Sequence, residues 1–211
     1  MEKKKKLILF DFDSTLVNNE TIDEIAKEAG VEEEVKKITK EAMEGKLNFE
    51  QSLKKRVSLL KDLPVEKVEK AISRITPTEG AEETIKELKN RGYVVAVVSG
   101  GFDIAVNKIK EKLGLDYAFA NKLIVKDGKL TGEVEGEVLK EDAKGKILEK
   151  IANIEGINLE DTVVVGDGAN DVSMFKKAGL KIAFCAKPVL KEKADVCIEK
   201  RDLREILKYV K

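Results

Sequence analysis

The chain has 211 residues, 38% of them charged, and 40 basic side chains balance 40 acidic ones, so the formal net charge is zero. That length suits one core, or a core with a small insertion. No basic excess points to nucleic acid, few aromatics speak against a stacking platform for single strands, and the lack of histidine excludes a histidine base, phosphohistidine or histidine metal ligand.

The remaining composition speaks to setting. Lysine and glutamate dominate, Gln51 is the only glutamine and tryptophan is absent, a bias that resembles heat-adapted proteins. Cys185 and Cys197 stand apart in apolar or mixed stretches, which predicts buried structural thiols rather than a metal knuckle or redox pair. The apolar part of the first eleven residues is too short for a signal peptide, and no run reaches membrane-spanning length. The expectation is a cytoplasmic protein that engages no membrane.

In chain order, Leu7-Ile8-Leu9-Phe10 runs directly into Asp11-Phe12-Asp13. A short unbroken apolar run predicts a strand buried on both faces of a parallel sheet. The carboxyl ends of such strands are where open α/β sheets build their sites. Asp11 and Asp13 there either form a solvated turn, share a metal ion, or divide nucleophile and acid roles.

Residues 18–76 hold helical stretches and no convincing strand. Thr21 to Glu24 fits a capping box at a helix start, Gly30 its end, and Pro64 opens a further helix. Thr76-Pro77 marks the return. The predicted organisation is a core of residues 1–17 and 77–211 with a helical cap, 18–76, inserted after the first strand.

Beyond the cap, helical patterns cover residues 81–90, 102–113, 143–154 and 173–178. Apolar runs at 94–98, 162–165 and 181–184 alternate with them. That order predicts an α/β, doubly wound parallel sheet. Gly92, Gly114, Gly156 and Gly179 fall where helix C-terminal caps are expected. Asp127-Gly128 between extended stretches predicts a hairpin over 123–134, a small β flap.

Three polar clusters each follow an apolar run: Asp11 and Asp13, then Ser99-Gly100-Gly101, then Asp167 with Asn170 and Asp171. Taken singly, each is a plain turn or a helix cap. Together they suit a narrow chemistry. A carboxylate can attack phosphorus to give an aspartyl phosphate, magnesium favours carboxylate oxygens, and a phosphoryl group needs donors such as a hydroxyl, backbone N–H groups and a lysine.

Lys144 is singled out by helical phase. Ile147, Leu148 and Ile151, three, four and seven residues later, form the apolar face it shares. A lysine so placed either snorkels to solvent or reaches into a site; the acidic clusters favour the site.

Asp11-Phe12-Asp13-Ser14-Thr15, Ser99-Gly100-Gly101, Lys144 and Gly166-Asp167-Gly168-Ala169-Asn170-Asp171 resemble the four ordered motifs of the haloacid dehalogenase superfamily. The resemblance covers essentially the whole chain, and within the superfamily it runs to the phosphoserine phosphatases, particularly the short forms from heat-loving organisms. It implies Asp11 as nucleophile and magnesium ligand. Asp13 is implied as acid to the leaving serine oxygen and then as base to water, with its backbone carbonyl on the metal. Ser99, Gly100, Lys144 and Asn170 would hold phosphate, Asp167 would complete the Mg2+ ligands, and Asp171 would support the metal from behind. Dehalogenase relatives lack the second aspartate of the first motif, so Asp13 favours phosphoryl transfer.

The core reads only phosphate and metal, which leaves substrate choice to the insertion. Phe49, Leu53, Arg56 and Leu60 share one helical face, with Arg56 interrupting its apolar stripe. On the residues alone, Arg56 is a surface arginine covering that stripe, and Glu20 is a helix-start acid favourable to the dipole. The resemblance makes Arg56 the reader of a substrate carboxylate and Glu20 the reader of its ammonium. Met43 and Phe49 match apolar wall positions of the same pocket, and suit an ordinary cap core nearly as well.

The expectation is thus a small-molecule substrate, O-phosphoserine, handled by a monomer or homodimer. Rival readings are a phosphatase or phosphotransferase for another small monoester, a phospho-receiver signalling domain, and a catalytically silent binding protein. A receiver needs neither Asp13 nor a cap.

Overall fold

The computed structural model describes residues 5–211, so the first four residues of the predicted core range lie outside the described residues. Among the described residues, seven strands form one sheet in the order β4-β3-β2-β1-β5-β6-β7. They are β1 (Lys6–Asp11), β2 (Tyr93–Phe102), β3 (Tyr117–Lys126), β4 (Lys129–Gly136), β5 (Thr162–Gly166), β6 (Leu180–Phe184) and β7 (Val196–Ile198). Every pairing is parallel except β3 with β4.

The unbroken apolar runs have the predicted cause. In β1, Ile8 and Phe10 enter the hydrophobic cluster on one face, while Leu7 and Leu9 enter that on the other. Val95 and Val97 of β2 split from Val94, Ala96 and Val98 in the same way. A strand with helices on both sides has no solvent face to fill with polar residues.

Helices α5 (Ala81–Asn90) and α6 (Asp103–Leu113) cover the first face through Ile85, Leu88, Val106 and Ile109. Helix α7 (Ala143–Glu155) and the short α8 (Val172–Phe175) cover the second through Ile147, Leu148, Met174 and Phe175. A one-turn α9 (Pro188–Lys191) follows β6. Gly30, Gly114 and Gly156 end their helices in the left-handed conformation, as expected. Gly179 ends no helix that way; a Cβ there would fall 2.0 Å from the Glu160 carbonyl oxygen, so close backbone approach explains it.

Residues 18–76 carry α1 (Thr21–Ala29), α2 (Glu32–Met43), α3 (Phe49–Ser58) and α4 (Val65–Ser73). Their apolar residues, among them Ile25, Val35, Val57 and Val68, join the cluster on the first face of the sheet. Chain entry and exit lie side by side: Val17 bridges Pro77, and Asn18 N–H donates to the Thr76 carbonyl at 2.9 Å.

Several local expectations are corrected. The capping box at Thr21 does not form: Glu20 is the N-cap of α1 and makes no side-chain cap bond. A capping box does form at α3, between Asn48 and Gln51. The hairpin is longer than its apolar pattern, with Asp127 and Gly128 both at positive φ in the two-residue turn. Its first strand pairs with β2 in the main sheet, so the hairpin is continuous with the core. Neither cysteine is buried; Cys185 is half-buried just past β6, and Cys197 is exposed because β7 is a three-residue edge strand.

Candidate active site

The sheet order places β1 between β2 and β5, where successive crossovers reverse direction. A crevice opens at the carboxyl ends of strands at such a switch point. Asp11 ends β1 there, Ser99 and Gly100 lie among the last four residues of β2, and Asp167 directly follows β5. Ser99-Gly100-Gly101 is not a turn after the strand but the irregular end of β2, where pairing with β3 shifts register between Val98 and Phe102.

Lys144 is 2% exposed, in the first turn of α7 on its buried face. Its Nζ donates to Asp11 Oδ1 at 2.5 Å and to Asp171 Oδ1 at 2.7 Å. Burial alone would lower its pKa, but the two carboxylates outweigh that and raise it above the ordinary lysine value. One buried cation thus serves several buried anions. Burial pushes Asp11 up to about 7, with Lys144 opposing and Asp167 adding to the rise. Asp167 and Asp171 are pushed up to about 6, again first by burial and then by neighbouring carboxylates.

Asp11, Asp167 and Asp171 bring carboxylate oxygens within 4.8 Å of one another. An all-oxygen, net-negative set suits a hard divalent cation. Asp171, however, is already engaged. Its Oδ2 accepts from the N–H groups of Asp167 at 3.0 Å and Gly168 at 3.1 Å, and its Oδ1 from Lys144. Thr15 Oγ1 donates to Asp167 Oδ1 at 3.4 Å, tying the first motif to the last.

Asp13 faces the other way. Its Oδ2 accepts from Ser99 Oγ at 3.2 Å, and its Oδ1 accepts from both the N–H of Thr21 at 2.7 Å and its hydroxyl at 2.5 Å. Burial raises Asp13 to about 6 against those bonds. Ser99 Oγ in turn accepts from Gly101 N–H at 2.9 Å.

The helical insertion overhangs this edge. The Phe49 ring lies over Gly100, so that a Cβ added at Gly100 would fall 2.5 Å from Phe49 Cζ. Glu20 takes a hydrogen bond from Ser14 Oγ at 2.6 Å and is pushed up to about 7, by desolvation of its carboxyl and then by Asp13. Arg56 donates from Nε to the Ser52 carbonyl at 3.2 Å and lies within electrostatic reach of Asp23, Glu20 and Asp13. Glu20, Phe49 and Arg56 are therefore brought to the core residues. Met43 is not: it is 72% exposed at the end of α2, off the stripe of Val35 and Ile38. Asn170 is half-buried, its Oδ1 folded against Gly168.

Two residues of this neighbourhood escaped the sequence reading. Thr21 carried a helix-start signal while its hydroxyl serves Asp13. Asn121, fully buried in β3, donates to the carbonyls of Gly100 and Val138 at 3.1 Å each and accepts from Val138 N–H at 3.0 Å. It lies two residues before the predicted hairpin, where no signal marked it.

A model of the haloacid dehalogenase-like hydrolases matches residues 5–179. A phosphoserine phosphatase of Methanocaldococcus jannaschii is 93% identical over 211 residues, covering all of both chains. A solved structure described as a substrate-bound phosphoserine phosphatase complex superposes with a TM-score of 0.96 at 93% identity, covering all of both chains. Another, described as a phospho-aspartyl intermediate analogue of phosphoserine phosphatase, gives a TM-score of 0.96 at 93% identity over 99% of this chain and all of that one. Among the described residues no helix is long and apolar enough to cross a membrane. The chain belongs to the haloacid dehalogenase-like hydrolase family, and the relatives it matches from end to end are phosphoserine phosphatases.

Proposed function

We propose that this enzyme hydrolyses O-phosphoserine to serine and phosphate through a phosphoryl group carried on Asp11. The observation that carries the reading is the pair of opposed contacts at one strand edge. Lys144, itself anchored on Asp171, holds Asp11 on one side, while Ser99 and Thr21 hold Asp13 on the other. Two carboxylates two residues apart, in unlike surroundings, suit unlike roles.

In the first half-reaction a carboxylate oxygen of Asp11 attacks phosphorus as the bond from phosphorus to the serine oxygen breaks, and Asp13 gives that oxygen its proton. In the second, Asp13 takes a proton from the water that attacks the aspartyl phosphate. An acid raised to about 6 can do both near neutral pH. Ser99, Gly100 and Lys144 are the donors assigned to the phosphoryl oxygens, with Asn170 beside them.

The acidic, oxygen-only donor set fits Mg2+, with Asp11, Asp167 and the Asp13 backbone carbonyl as its protein ligands. Mg2+ supplies positive charge against the phosphoryl oxygens. Asp171 is assigned to support rather than ligation, because its oxygens are spent on Lys144, Asp167 N–H and Gly168 N–H.

Residues 18–76 act as a cap over a core of 1–17 and 77–211. The cap supplies Glu20 for the substrate ammonium, Arg56 for its carboxylate and Phe49 as an apolar wall, with Met43 exposed at the end of α2. The test is phosphate release with magnesium from O-phosphoserine, phosphothreonine, phosphoethanolamine and an aryl phosphate. Preference for phosphoserine is expected; equal turnover of phosphoethanolamine, which lacks the carboxylate, would remove Arg56 as a substrate reader.

A further inference from the structure

We propose that Arg201 is a positioning residue for substrate recognition, acting through Ser14 on Glu20. Arg201 lies beyond residues 5–179, the span matched by the family, in the segment that follows the last strand. Its guanidinium reaches back across the chain to the loop behind Asp13. Nη1 donates to the Ser14 carbonyl at 3.1 Å, Nη2 to the Val17 carbonyl at 3.2 Å and Nε to Asn18 Oδ1 at 3.1 Å. The group also lies over the Phe184 ring, 6.0 Å from its centroid.

Ser14 is the reason this clamp matters. Its φ of 58° is left-handed, a conformation a serine holds only where its surroundings impose it. All three of its polar groups are spent: N–H on the Asn19 carbonyl at 3.2 Å, carbonyl on Arg201, and Oγ on Glu20 Oε1 at 2.6 Å. The same short loop carries Asp13 at its start and crosses into the cap at its end. Asn18, held by Arg201 on its oxygen, donates its amide nitrogen to Thr76 Oγ1 and the Pro77 carbonyl at 3.1 Å each. Outgoing and returning strands are thereby tied to one cation from the chain's last segment.

Without the guanidinium, the Ser14 carbonyl loses its charged donor and the left-handed turn loses what holds it. Glu20 then loses the hydroxyl that aims its carboxylate. Recognition of a substrate ammonium suffers, whereas attack on a phosphoryl group attached to a plain alcohol does not depend on Glu20. This inference rests on the phosphoserine reading for its kinetic arm only.

The test compares Arg201→Ala and Arg201→Lys with the unaltered enzyme, using O-phosphoserine and p-nitrophenyl phosphate with magnesium, alongside hydrogen exchange of residues 12–19. For Arg201→Ala, KM for phosphoserine is expected to rise about tenfold while kcat/KM for the aryl ester changes less than about twofold. Exchange at 12–19 should accelerate while that of β2 stays unchanged. Arg201→Lys keeps the charge but cannot span three oxygens, so its effects should be intermediate. Equal losses on both substrates, unchanged kinetics, or unchanged exchange at 12–19 would overturn the proposal. If Arg201→Ala does not fold, Arg201→Lys is read by the same comparison. An unaltered enzyme that leaves phosphoserine intact would refute the substrate reading instead, and exchange at 12–19 would still decide whether Arg201 holds the loop.

Discussion

Removing divalent cations should lower the melting temperature of this enzyme far more at mildly alkaline than at acidic pH. Asp11, Asp13, Asp167 and Asp171 crowd one sheet edge, and Lys144 is the buried cation among them. Asp11 is raised from 3.8 to about 7 and the other three to about 6. Each folded value lies above the unfolded one, so protons favour the folded chain. That contribution is fully present below about pH 4 and is lost as pH rises through 6 to 7. For Asp11 alone, roughly three pKa steps correspond to about 4 kcal/mol. A cation that binds the ionised folded site offsets this, contributing about 3 kcal/mol at a hundredfold excess over its dissociation constant. In a domain of this size that is on the order of 5–10 °C. The assay is thermal unfolding followed by circular dichroism, with chelator or saturating magnesium, at about pH 5 and about pH 8. No magnesium effect at either pH, or an equal effect at both, would refute the reasoning.

Asp11→Asn should abolish phosphate release while the metal-free protein melts no lower, since the change removes one of several crowded charges; near-normal turnover would remove Asp11 as nucleophile. Arg56→Ala should cost phosphoserine hydrolysis about 10- to 100-fold in kcat/KM. Hydrolysis of an aryl phosphate should fall far less, and equal losses would return Arg56 to a packing role. Gly100→Ala drives a methyl into the Phe49 ring, at 2.5 Å from Cζ, and should depress activity on every substrate. Adding Phe49→Ala should restore part of the aryl phosphatase activity; failure to restore any would place the fault in the backbone of Gly100 instead.

Much of the site was legible because each element announces itself locally. Four apolar residues before Asp11 specify a strand with two buried faces, and that alone puts a carboxylate at the sheet edge. Helical phase singled out Lys144, and the structure finds it buried while Lys146 and Lys150 of the same helix reach Asp142 and Glu137 at the surface. Phase within one helix cannot say what faces it from elsewhere. Thr21 read as a capping residue because its partner, Asp13, lies eight residues back across a turn that no periodicity describes. Met43 was named through the resemblance alone, and the packing of α2 leaves it exposed, off the stripe of Val35 and Ile38. Ser99 to Gly101 looked like a turn because glycines mark turns and strand irregularities alike. Arg201 reaches residues more than 180 positions away, a contact without any sequence signature.

The most direct test of the account is to acid-quench the enzyme during turnover of phosphoserine with magnesium and map the phosphoryl group by mass spectrometry. An acyl phosphate on Asp11 is expected, absent in Asp11→Asn and accumulating in Asp13→Asn supplied with an aryl phosphate whose leaving group needs no proton. A phosphoryl group on any other residue, or steady phosphate release with Asp11 unmodified in both the unaltered enzyme and Asp13→Asn, would contradict it.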